Sequence, residues 1–170
     1  MKRALLILAV LLVPALAQAA PKGIPLWEDA YTGMSVKEIL HYFPDAQRVS
    51  PKDQRPHRPE QGTELARIPR VQIAADPYRA RFYFGKAGLK RVVLELIRQG
   101  DMTFSEGLKR TQKVRDALSR KYGQPVKKTA SSKGYLVDWK NGKTGIHLVV
   151  ITKSYEVKQF EIVYEEAGEE

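Results

Sequence analysis

The chain has 170 residues and no cysteine, with 29 lysines and arginines against 19 aspartates and glutamates for a formal net charge of +10. The lack of cysteine excludes a disulfide framework, a thiolate metal centre and a lipid-modified N-terminal cysteine. With 43% hydrophobic residues, the chain is expected to hold together by burying a core, and a chain of this size buries roughly two-thirds of its unfolded surface.

The first segment, MKRALLILAVLLVPALAQA, sets Lys2 and Arg3 before the apolar run Ala4 to Val13 and ends in Ala17-Gln18-Ala19. That order is the plan of a secretory signal peptide. The apolar run is shorter than the roughly twenty residues a membrane helix needs, and Pro14 interrupts it. Residues 1–19 are therefore read as a signal peptide cleaved near Ala19, and residues 20–170 as one exported domain. The expected location is the periplasm, or the medium if the protein is released. No later segment reads as a membrane helix, so an integral membrane protein is not expected.

The stretch YTGMSVKEILHYFPDA, Tyr31 to Ala46, predicts a short helix. Ser35 and Glu38 form a capping box, in which each side chain satisfies a backbone N–H that the first turn leaves unpaired. Val36, Ile39, Leu40 and Phe43 fall on one face, and Pro44 stops the helix. The connection that follows, Gln47 to Arg70, combines Pro51, Pro56, Pro59 and Pro69 with five arginines, four of them ahead of Pro69, and has few apolar residues before Leu65. A loop this long inside a compact domain is either functional or a floppy linker. If functional, Arg55, His57 and Arg58 are its contact points.

Three strands are predicted next, Leu65 to Ile73, Tyr78 to Gly85 and Leu89 to Ile97, the last two joined as a hairpin through Lys86-Ala87. Pro69 lacks a ladder donor and marks an edge strand. Tyr78, Ala80, Phe82 and Phe84 alternate with Arg79, Arg81 and Tyr83, so one face is expected to look inward and the other to be basic and wet.

Thr103 to Val126 predicts a longer helix. Thr103 and Glu106 make a second capping box. Phe104, Leu108, Thr111, Val114, Leu118 and Tyr122 share a face, and Gly123 and Pro125 end it. Three more strands follow: GYLVDWK, KTGIHLVVITKSY and VKQFEIVYEE. Asn141-Gly142 is expected to close the first hairpin as a type I′ turn, with positive φ at both central residues.

Helix then three strands, twice over, predicts an α+β fold of two repeats, residues 31–98 and 101–166, forming an antiparallel sheet with the helices packed on one face. The Gly33-Met34-Ser35 start, the helix carrying Val36, Ile39 and Leu40, and the stops Phe43-Pro44-Asp45 and Tyr122-Gly123-Gln124-Pro125 resemble the modules of the β-lactamase-inhibitor-protein-like fold. They are also similar to those of the small outer-membrane-assembly lipoproteins. The resemblance implies a non-enzymatic protein that binds another protein with its sheet or loops. The lack of cysteine departs from the lipid anchor of the one group and the disulfides of the other.

His41, His57 and His147 match no zinc spacing, and no nucleophile elbow, phosphate loop or dinucleotide fingerprint is present. No catalytic residue, metal or cofactor is assigned. Without Lys2 and Arg3 the formal charge is still about +8, with basic residues concentrated between Arg48 and Arg91 and an acidic end, EEAGEE. Nucleic acid is not an expected partner for an exported protein. The expected function is a soluble envelope protein that binds another envelope or secreted protein, as inhibitor or assembly accessory. Its candidate contacts are Arg55, His57, Arg58, Arg67, Arg79, Arg81 and the tryptophan Trp139, with Trp27 as a second exposed anchor. The alternatives are a peripheral binder of anionic lipid or cell-wall polymer, and a hydrolase whose site is assembled from scattered residues.

Overall fold

The computed structural model of the protein describes residues 23–54, 59–97 and 101–168. Residues 1–19, read from the sequence as a signal peptide, lie outside the described residues. In chain order the elements are β1 (Pro25–Trp27), β2 (Ala30–Tyr31), α1 (Val36–Tyr42), β3 (Gln47–Arg48), β4 (Thr63–Ile73), β5 (Asp76–Gly85), β6 (Gly88–Leu96), α2 (Phe104–Tyr122), β7 (Lys127–Ser131), β8 (Gly134–Asn141), β9 (Thr144–Lys153) and β10 (Glu156–Glu166). Two 3-10 turns, Pro51–Asp53 and Pro59–Gln61, punctuate the connection from β3 to β4. No helix among the described residues is long and apolar enough to cross a membrane.

β3 to β10 form one sheet in the order β3-β4-β5-β6-β10-β9-β8-β7, antiparallel throughout, and β1 and β2 form a separate pair. This overturns the expected α+β fold of two helix-plus-three-strand repeats. The described residues are mostly β, one eight-stranded sheet accompanied by only two α-helices among them. The outer strands explain part of the difference. β3 reads Gln-Arg and β7 reads Lys-Lys-Thr-Ala-Ser, and every residue of both is exposed. Strands that bury nothing on either face carry no period-two hydrophobic signal, and only their backbone pairing reveals them.

Both capping boxes form. Glu38 N donates to Ser35 Oγ at 3.2 Å while Ser35 N donates to Glu38 Oε2 at 2.7 Å, and Thr103 and Glu106 repeat the arrangement at 3.3 and 2.9 Å. These bonds hold both glutamates below the usual carboxylate range.

The two helices press on the same face of the sheet. Ile39 of α1 and Val114 and Leu118 of α2 join a single core with Ala80 and Phe82 of β5, Leu94 of β6, Leu148 of β9 and Ile162 of β10. Trp27 is buried in this core, stacked on Phe43 with ring centres 5.8 Å apart and tilted against Phe82 at 6.3 Å. The Lys86-Ala87 hairpin forms as expected, with Gly85 paired to Gly88.

The β8–β9 hairpin also forms, but its loop is Gly142-Lys143, closed by the Asn141–Thr144 pair. Of the two loop residues Gly142 alone has positive φ, at 59°. Positive φ at the first central residue only belongs to a type II′ turn, whose first position favours glycine, rather than to the expected type I′. Pro69 lies in an irregular stretch of β4, between the Ile68–Ala80 and Val71–Tyr78 pairs. β3 pairs only with Ala66 and Arg67, so at Pro69 the outer side of β4 is an edge.

Candidate functional site

The face of the sheet away from the helices carries the chemistry. Arg79, Arg81 and Tyr83 of β5 lie on it, but the expected wet, basic surface is not what forms. Arg81 and Tyr83 are both 2% exposed, because glutamates from the flanking strands meet them. Glu64 of β4 has no exposure at all and accepts from Arg81 Nη1 at 3.0 and 2.9 Å through its two oxygens, and from Arg67 Nε at 2.8 Å. Arg81 also donates to Glu95 of β6 at 2.8 Å through Nε, and Arg79 lies 3.6 Å from the same carboxylate.

Burial alone would lower the Arg81 pKa, but the hydrogen bond and charge of Glu95 and the charge of Glu64 outweigh it, so the guanidinium is held more firmly charged than usual. Burial first, and the Glu64 charge second, push the Tyr83 phenol well above its ordinary range. Arg67, Arg79 and Arg81 are thus braced by carboxylates of their own sheet.

Farther across the same face lies a depression of about 230 Å³. Its floor is apolar: Val93 of β6, Val163 of β10, Val149 of β9 and Leu136 of β8. These residues meet because cross-strand register aligns them, with Val163 opposite Val93 and Leu136 opposite Val149. Ile151, two residues beyond Val149 on β9, extends the strip and is 42% exposed. Arg91, Glu165, His147, Glu161, Gln159 and Gln61 complete the lining.

His147 is the best-positioned titratable group there. Its Nδ1 is 2.8 Å from Asp138 Oδ1 across the β8–β9 pair, and its Nε2 is 3.5 Å from Glu165 Oε1. Gly145 leaves room for this ring, since a Cβ there would lie 2.9 Å from His147 Nε2. Arg91 bonds directly to Glu165 Oε2. Among the described residues no group of three or more histidines, aspartates and glutamates is arranged to hold a metal ion.

The long arginine-proline connection comes back to this face. Gln61, at its end, lines the depression, Lys90 Nζ donates to Glu60 O at 2.6 Å, and Arg67 Nη2 donates to Asp53 O at 3.0 Å. Arg55, His57 and Arg58 lie outside the described residues. Trp139 is on the opposite face, 1% exposed, with Nε1 donating to Ser119 Oγ of α2 at 3.3 Å. Neither Trp139 nor Trp27 is an exposed anchor. His41 is exposed on α1, with its ring edge-on to Tyr42.

A wider hollow of about 700 Å³ lies at the end of the sheet, lined largely by the backbone of the β5–β6 turn and by Gly33. Its titratable groups are Lys86, Lys90, Glu165 and Glu166, and it lacks the cross-strand valine floor of the depression on the open face. No protein-family model, curated protein or solved structure matches this chain.

Proposed function

We propose that the chain is a non-enzymatic binding module of the cell envelope, and that it docks another protein on the open face of its sheet. The observation that carries this reading is the strip Leu136, Val149, Ile151 and Val163, which runs across three adjacent strands on the side opposite both helices. Charged and polar side chains rim it: Arg91, Glu161 and Glu165 on one side and Asp138 and His147 on the other. An apolar centre inside a polar rim is the anatomy of a protein interface.

The test is site-specific photocrosslinking in intact cells. A benzophenone side chain at Ile151 should give a discrete protein adduct, whereas the same group at Leu108, which is 44% exposed on α2, should give none. An adduct that migrates with lipid or cell-wall polymer and disappears at high salt would replace the protein partner with the anionic envelope surface. No adduct from Ile151 would overturn the docking reading.

A further inference from the structure

The charge around the depression runs against the charge of the chain. In a protein with a net charge of +10, the lining holds two glutamates and a single arginine, and that arginine is taken by Glu165. Glu161 is half-buried and accepts from the Gln159 side chain at 2.7 Å. It has no ion-pair partner among the described residues, and the residue directly opposite it on β6 is Glu95, another carboxylate. Like charges facing each other across two strands are unfavourable, and Arg79 and Arg81 compensate Glu95 alone. Gln61 also lines the depression, and its side-chain oxygen is buried with no hydrogen-bond partner among the described residues.

A carboxylate without an ion pair beside an apolar floor describes the complement of a long cationic side chain. The volume of about 230 Å³ falls below the roughly 300–1,000 Å³ of sites that enclose a drug-sized molecule, and suits one side chain. Resting on the docking reading above, we propose that the depression receives a lysine or arginine side chain of the partner protein. The aliphatic stem lies on Val93, Val149 and Val163, and the charged end donates to Glu161. Lysine and arginine are built for this, since their stems pack on apolar surface while the head seeks a polar group.

The probes are Nα-acetyl-lysine methylamide and its arginine counterpart, with the norleucine compound as the uncharged control, titrated into methyl-labelled protein while the Val93, Val149 and Val163 signals are followed by NMR. The cationic probes should shift these methyls with an affinity about tenfold above norleucine, as expected for a hydrogen bond to a charged group. Glu161→Gln should reduce that preference to about twofold, with unchanged dispersion of the other methyl signals reporting an intact fold.

Equal binding of norleucine, shifts confined to other parts of the sheet, or an undiminished preference in Glu161→Gln would each overturn the proposal. Cadaverine binding more tightly than the amino-acid probes would assign the site to a free diamine instead. Crosslinks from Ile151 without a lysine preference would defeat this inference and leave the docking reading standing. A lysine preference without crosslinks would defeat the docking reading, and with it the claim that the cation belongs to a protein.

Discussion

Glu64 is completely buried on the face that no helix covers, and its position is held by charge. It accepts from Arg81 through both oxygens and from Arg67 through one. Removing one partner of a buried pair leaves the other desolvated, which costs about 3–5 kcal/mol, whereas replacing both with apolar groups of similar size is close to neutral. Glu64→Ala should therefore lower the unfolding free energy by about 3–5 kcal/mol in a urea titration. Glu64→Leu combined with Arg81→Met should recover most of the loss, because Glu95 keeps Arg79 at 3.6 Å. Nothing in the order Tyr-Arg-Ala-Arg-Phe-Tyr-Phe reveals this arrangement. Alternation assigned Arg79 and Arg81 to the correct face, but the glutamates that dry it come from two other strands.

The Asp138–His147 pair was closer to legible. Strand pairs in a hairpin are fixed by the loop, and the observed Gly142-Lys143 loop places Asp138 opposite His147. A loop at Asn141-Gly142 would set Gly145 opposite Asp138 instead. A one-residue shift of the loop moves the register by two residues and thus hides the partner of the histidine.

At the scale of elements, α2 shows where propensity and packing disagree. Gly107 lies in the first turns of a 19-residue helix, where alanine would gain about 1 kcal/mol in helix propensity. A Cβ at this position would lie 2.3 Å from Val157 Cγ2, however, and Val157 is 1% exposed in β10. The valine cannot swing aside freely, being β-branched and tied by its backbone N–H to Met102 O at 2.9 Å. Gly107→Ala should thus lower the melting temperature, at a cost of about 1–3 kcal/mol for overpacking. Gly107→Ala with Val157→Ala should restore helix docking more than either change alone.

The helices themselves were readable because caps, apolar spacing and stops lie close together in sequence. Two of the hairpins were not. The Ala74-Ala75 and Ser154-Tyr155 turns hold positive φ at both residues, between 49° and 70°, without the glycine or asparagine that normally signals such a turn. Tertiary pairing of long strands on either side holds these residues in the left-handed region, and a local reading cannot see it.

The whole sheet is two antiparallel meanders, β3 to β6 and β7 to β10, that meet where β6 lies beside β10. Five register pairs make the seam, from Glu161–Glu95 to Glu165–Arg91. No turn marks this join, because its strands are linked through α2 and the whole second meander. The sequence therefore shows neighbours along each meander and is silent about the strand pair that unites them.

The consequence for folding follows from the core. One continuous cluster runs from Leu26 through Phe82 and Leu94 to Leu148 and Tyr164, crossing the seam. Either meander alone would expose half of that cluster and an unpaired central edge, so neither is expected to persist once the other unfolds. The chain should unfold in a single cooperative transition, with far-ultraviolet circular dichroism and tryptophan fluorescence giving the same urea midpoint. The fluorescence is informative because Trp27 packs against Phe82 of the first meander while Trp139 belongs to the second. Two separated transitions, or a Trp139→Phe variant whose fluorescence midpoint departs from that of circular dichroism, would show that the seam is too weak to couple the halves. Coincident midpoints would mean that the open face, which spans the seam from Val93 to Val163 and on to Val149, forms and is lost as one unit.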